Sequence, residues 1–123
     1  RPHERVLVAF DGGASSQKAV DYIARSPLFA GLSVALVFAG RETPEITRAL
    51  EAAKATLAAG GFAAEALVRE GEPEKVLATL TETEGYDLLV MGAYGHSRVR
   101  ALIIGSTTTS MIRSCKVPVV LMR

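Results

Sequence analysis

Short apolar runs alternate along this chain with longer segments of helical period, and that alternation restricts the fold more than any other feature. It is the pattern of βαβ units wound around a parallel sheet. Five strands are expected. Arg5 to Phe10 is almost continuously apolar, as a central parallel strand covered on both faces should be, and it breaks off at Asp11-Gly12-Gly13. Ser33 to Phe38 is a second such run, ended by Ala39-Gly40. Ala63 to Arg69 is more polar and reads as an edge. Tyr86 to Met91 and Val117 to Met122 complete the set, with Pro118 tolerated only at a strand start or an edge.

Helical stretches fill the gaps. Ala19, Val20, Ile23 and Ala24 recur at the spacing of one buried face after Ser15 or Ser16, either of which can cap that helix. Thr43 followed by Pro44 caps and starts a second helix with an Ile46, Leu50, Ala53, Leu57 stripe, closed by Gly60-Gly61. Gly71-Glu72-Pro73 opens a third, with Val76, Leu77 and Leu80 inward, and Gly85 ends it. A fourth, with Thr108, Met111, Ile112 and Cys115 inward, is rich in Thr and Ser and needs packing or ligand contacts to hold it.

At 123 residues the chain is one domain, residues 1–123, able to bury a real core. With 14 Lys and Arg against 13 Asp and Glu, and no run of like charge, nothing predicts a nucleic-acid or anionic-membrane surface. No apolar run approaches the ~20 residues of a membrane span. The N-terminus, Arg1-Pro2-His3-Glu4-Arg5, lacks the features of a signal peptide. A single cysteine, Cys115, suits a reducing compartment, so a cytoplasmic location is expected. Opening on Arg1 rather than Met suggests a processed product or a piece of a longer protein.

The chemistry is expected at one loop. Gly92 follows the fourth strand, Gly95 comes three positions on, and after nine more residues come Gly105, Ser106 and Thr107 at the mouth of the fourth helix. Glycine at the strand exit permits positive φ and lets a phosphate approach the backbone. Ser106, Thr107 and Thr108 fall where first-turn N–H groups are unpaired and the helix dipole favours an anion. Ligands of open α/β sheets bind beyond the carboxyl ends of the strands, where the strand order reverses. Asp11 belongs to that edge and can orient a ribose hydroxyl, a Mg2+ ion or a water; as a turn residue bonding its own backbone it has a structural reading of similar weight. Ser16 reads better as a helix cap than as a ligand contact. His96, Arg98 and Arg100 could reach phosphates, although a solvated loop explains their charge as well.

These residues resemble the universal stress protein family, in the branch carrying the ATP-binding motif Gly, two residues, Gly, nine residues, Gly-Ser/Thr. Gly92-Ala93-Tyr94-Gly95 through Gly105-Ser106-Thr107 meets the motif without a gap. The resemblance runs from Val6-Leu7-Val8-Ala9-Phe10-Asp11-Gly12 to Val117-Pro118-Val119-Val120. It implies a Rossmann-like, five-stranded parallel open sheet of order 3-2-1-4-5 with helices on both faces, of the adenine nucleotide alpha hydrolase type. It further implies that Ala9, Phe10 and Asp11 line the adenosine end, that Phe38 meets adenine with Met91 and Gly92 beside it, and that Gly95, Gly105, Ser106, Thr107 and Thr108 hold the phosphates. The implied ligand is ATP, or ADP or AMP, with Mg2+ held indirectly by Asp11. Members are typically dimers joined through the last strand, which would put Val117, Val119, Val120, Leu121 and Met122 at the interface. Phe38 is bulkier than the aliphatic residue common at its position, and Gly13 stands where Ser is frequent. The Gly40 to Gly61 connection is short and resembles the second half of a tandem protein, so a pseudo-dimer within a longer chain is the alternative to a homodimer.

The expected function is a non-enzymatic, nucleotide-binding stress-response module in which the ligand favours one conformation or a dimer, with at most slow hydrolysis. No catalytic base, metal cluster or nucleophile pair accompanies the loop. One alternative is a slow ATPase or adenylating enzyme, since Asp11-Gly12-Gly13-Ala14-Ser15-Ser16 loosely resembles the first phosphate loop of ATP pyrophosphatase-type enzymes; Walker A and Rossmann glycine signatures are both missing. Another is a dimerisation module with a vestigial site. A phospho-receiver is set aside, because the third strand ends Val68-Arg69-Glu70 and the fifth ends the chain without the required lysine.

Overall fold

The computed structural model describes residues 4–92 and 119–122. Its elements run β1 (Arg5–Ala9), α1 (Ala14–Arg25), a 3-10 turn (Pro27–Phe29), β2 (Ser33–Ala39), α2 (Pro44–Ala59), β3 (Glu65–Arg69), α3 (Pro73–Thr83), β4 (Leu88–Gly92) and β5 (Val119–Met122). Every strand pair is parallel, and the sheet order is β3-β2-β1-β4-β5. β1 is therefore central, with Val6 beside Val34 of β2 and Leu88 of β4. The expected fourth helix, with Thr108, Met111, Ile112 and Cys115, lies outside the described residues.

Two-sided burial explains the apolar strands. One face carries Val6, Val8, Val34, Leu36 and Val90 against α1 and α2, through Ala19, Val20, Ile23, Ile46, Leu50, Ala53 and Leu57. The other carries Leu7, Ala9, Ala35, Val37, Leu89 and Met91 against Leu77 and Leu80 of α3. Helices thus cover both faces, and alternate residues of one strand enter different cores. β3 lies at the sheet margin with both end residues exposed, in keeping with its polarity.

Helix starts follow local chemistry. Thr43 caps α2, its Oγ1 accepting from the Ile46 N–H at 3.1 Å, and Pro44 opens the first turn. α1 departs from expectation: neither Ser15 nor Ser16 is its cap. Gly13 holds that position with φ −80° and ψ 171° and no side-chain bond, and both serines are buried inside the first turn. Their hydroxyls are used elsewhere, as described below.

At the amino end of the sheet, β1 and β4 are fastened together. The Arg5 N–H donates to Asp87 Oδ2 at 2.9 Å, and the Asp87 N–H donates to the Arg5 carbonyl at 2.8 Å. The Arg5 guanidinium donates to the Glu84 carbonyl and stacks 4.4 Å from the Tyr86 ring centroid, a cation–π contact. Burial raises the Tyr86 phenol above its ordinary 10.0, with Arg5 opposing and Glu65 and Glu84 adding to the rise. An acid whose folded pKa is raised loses stability as pH climbs past its unfolded value. Stability should therefore fall above about pH 10, and Tyr86→Phe should flatten that fall in urea titrations across pH 8 to 11. An equal fall in both proteins would assign the alkaline loss to other groups.

Candidate functional site

The carboxyl ends of β1 and β4 lie side by side at the centre of the sheet, with Ala9 paired to Met91. From β1 the chain steps outward through α1 to β2 and through α2 to β3, both helices on one face; α3 then crosses the opposite face to β4, on the other side of β1, and β5 lies outward of β4 in the opposite direction. The strand order therefore reverses between β1 and β4, the point at which open α/β sheets form a crevice beyond the strand ends, and most of the described candidate residues sit around it.

Asp11 shapes the first loop. Its Oδ1 accepts from the Gly13 N–H at 2.8 Å and from the Ser16 hydroxyl at 2.8 Å, while the Asp11 N–H donates to Ser16 Oγ at 3.3 Å. The carboxylate thereby supplies, at the start of α1, the side-chain acceptor that the glycine cap lacks, and its charge suits the positive end of the helix dipole. Gly12 between them takes φ +82°, the left-handed conformation that glycine adopts freely. The turn reading of Asp11 is thus observed, and it fixes the carboxylate at the crevice mouth. Asp11→Ala is expected to cost about 1 kcal/mol of stability, read as a lower midpoint in urea; an unchanged midpoint would contradict this role.

Gly92 is needed for a reason the sequence does not display. It is a β4 residue and is absent from the positive-φ glycines, so conformational freedom is not what it supplies. A Cβ on Gly92 would lie 2.5 Å from Ser15 Oγ and 2.8 Å from the Ser15 carbonyl carbon. The glycine lets the first turn of α1 press against the end of β4. From there Ser15 Oγ donates to the Met122 carbonyl at 3.1 Å, tying α1 to the end of β5.

The remaining candidates divide between the faces. Ala9 and Met91, both nearly fully buried, look toward α3 in company with Val37. Phe10 is buried on the α1 and α2 side, its N–H donating to the Val37 carbonyl at 2.9 Å, and Phe38 packs half-buried on that same side. The Phe38 ring covers Gly40, where an added Cβ would be 3.0 Å away. By strand alternation Ala39, which the sequence reading passed over, shares the face of Ala9 and Met91. Val119, Val120, Leu121 and Met122 form β5 beside β4, and Val120 and Met122 are half-buried against the α1 and α2 core. Gly95, Gly105, Ser106, Thr107, Thr108 and Val117 lie outside the described residues, as do His96, Arg98 and Arg100. Among the described residues no group of three His, Cys, Asp or Glu side chains could hold a metal, and no helix is long and apolar enough to cross a membrane.

The sequence profile of the universal stress protein family matches residues 32–123. The chain belongs to the universal stress protein family. A universal stress protein of Synechocystis sp. is 39% identical over 97% of this chain and 42% of its own length. A second, from Methanocaldococcus jannaschii, is 27% identical over 66% of this chain and 50% of its own length. The chain thus spans half or less of the length of these two relatives. Among solved structures, a universal stress protein in complex with cAMP matches with a TM-score of 0.77 and 26% identity, covering 98% of this chain and 96% of the other. Membership accounts for the parallel α/β sheet.

Proposed function

We propose that this universal stress protein domain binds an adenine nucleotide, with ATP the first choice, in the crevice beyond β1 and β4. The observation that carries this reading is the reversal of strand order there. It brings the Asp11 turn alongside the Gly92 exit, and from that exit departs the Gly, two residues, Gly, nine residues, Gly-Ser-Thr sequence. The cAMP bound by a related universal stress protein supports the ligand class.

In this reading Ala9, Phe10, Asp11, Met91 and Gly92 surround the nucleoside, Phe38 contributes through its strand end rather than its ring, and Gly95, Gly105, Ser106, Thr107 and Thr108 hold the phosphates. One carboxylate beside a polyphosphate fits Mg2+, which commonly takes one or two carboxylates together with phosphate oxygens; Asp11 would hold it through water. The motif supplies donors and no general base, so the nucleotide is sensed, with at most slow turnover, in a cytoplasmic stress response. Binding would favour one arrangement of β5, the strand proposed to pair with a second copy or with a tandem half. Residues 1–123 form one such domain.

Native mass spectrometry of the freshly purified protein tests the ligand class. A mass increment matching ATP, ADP or AMP is expected, lost on mild activation. Purified, folded protein that carries no nucleotide and acquires none from millimolar ATP would overturn the reading.

A further inference from the structure

β3 forms one margin of the sheet, and among the described residues no strand pairs with its outer edge. The Arg69 carbonyl is turned toward β2, where it accepts from the Gly40 N–H at 2.9 Å. Main-chain groups alternate in direction along a strand, so the N–H and C=O of Ala66 and Val68 point to the outer edge. In agreement, the Val68 carbonyl takes a local bond from Arg69 Nη1 at 3.1 Å. A row of outward N–H and C=O groups is a template for another strand unless proline, a bulge or repelling charge blunts it. β3 contains no proline, and its pairing with β2 runs without a bulge.

Its side chains are ordered to meet a copy of themselves. Glu65, Leu67 and Arg69 share the face toward α3; Leu67 stands half-buried at the margin of that core, and the two charged residues are exposed. Ala66 and Val68 share the other face, half-buried against the α1 and α2 core. In an antiparallel pairing of two such edges, the outward groups of Ala66 and Val68 must meet outward groups of the second strand. Several registers satisfy this. Only one sets Glu65 opposite Arg69 at both ends, with Ala66 opposite Val68 and Leu67 opposite itself. The next allowed register on either side sets Leu67 opposite Glu65 or opposite Arg69 instead. Opposite charges directly across a strand pair stabilise it and like charges destabilise it, so the charge pattern selects the first register.

We propose that the outer edge of β3 is a docking surface for a second copy of this chain, the two strands pairing antiparallel about a two-fold axis at Leu67. The contact is isologous, each strand offering the other the same patch. The Ala66 N–H of each copy donates to the Val68 carbonyl of the other, and the Val68 N–H to the Ala66 carbonyl. The two Leu67 side chains face each other at a position without hydrogen bonds, where cross-strand side chains come closest. Glu65 and Arg69 close both ends as ion pairs. β5 lies at the opposite margin of the sheet, so this contact does not compete with the strand pairing proposed there, and the two are separable by mutation.

The test is sedimentation velocity of the 123-residue chain over a wide range of concentration, with circular dichroism to confirm that each variant is folded. Either single reversal, Glu65→Arg or Arg69→Glu, sets like charges against each other at both ends of the symmetric contact. Each should weaken association at least about tenfold, a change of about 1.4 kcal/mol. Combining Glu65→Arg with Arg69→Glu restores opposite pairs and should return the affinity to within about threefold of the wild type. Leu67→Cys reads the register: on mild oxidation it should link two chains in a yield well above that of the wild-type protein with its Cys115, whereas Ala63→Cys, beyond the paired stretch, should not. A wild-type chain that stays monomeric at every concentration would overturn the proposal. So would an assembly unmoved by both single reversals, which would assign the association to β5, or a double variant that regains no affinity, or a Leu67→Cys chain that links no better than the wild type.

Discussion

Gly92→Ala is expected to destabilise the domain by about 3 kcal/mol, toward the upper end of what overpacking costs, although the change adds a single methyl group. The added Cβ would meet Ser15 Oγ at 2.5 Å and the Ser15 carbonyl carbon at 2.8 Å. A hydroxyl can rotate away; a backbone carbon in the first turn of α1 cannot move without shifting the helix. Ser15 is itself bonded to the Met122 carbonyl, and the next residue, Ser16, is bonded to Asp11. Displacing this turn therefore disturbs the end of β5 and the Asp11 loop together. Since domains of this kind are stable by only about 5–15 kcal/mol, the loss should be plain in urea unfolding. Adding Ser15→Ala removes only the nearest contact and should restore little. A Gly92→Ala midpoint within error of the wild type would refute the close packing of α1 on β4.

Gly105→Trp should have the opposite profile, a large loss of ligand with little loss of fold. If the nine-residue segment ending at Gly105-Ser106-Thr107 holds phosphate by backbone N–H groups, an indole there fills the space the phosphate needs. Several charge-assisted bonds would go at once, each stronger than an ordinary hydrogen bond. A weakening of ATP affinity by about a hundredfold or more is expected, equivalent to about 2.8 kcal/mol, with the unfolding midpoint near that of the wild type. Unchanged affinity in a folded variant would mean that the loop is vestigial and the domain acts through association alone.

Much of the architecture is legible in the residues because it depends on local signals. The apolar runs of β1 and β2 announce burial on both faces, Thr43-Pro44 announces the start of α2, and the polarity of 63–69 announces an outer strand. What stays hidden is decided by contacts distant in sequence. Gly92 reads as a flexible phosphate-loop glycine, yet Ser15 is what forbids a side chain there. Ser15 and Ser16 read as caps, and their hydroxyls go instead to β5 and to Asp11. In a strand buried on both faces, neighbouring apolar residues look alike, so Phe38 could be assigned to the base without any sign that its ring packs opposite Ala9 and Met91. The Arg5–Tyr86 stack left no mark either, since it arises from the pairing of β1 with β4.

The most direct test of the central claim is isothermal titration of the folded, nucleotide-free domain with ATP, ADP and AMP in the presence of Mg2+. One saturable site per chain is predicted, lost in Gly105→Trp and retained by the wild-type protein after exhaustive dialysis and refilling. A domain that unfolds cooperatively in urea yet gives no binding heat with any of the three nucleotides, and no shift in unfolding midpoint at millimolar ATP, would contradict it.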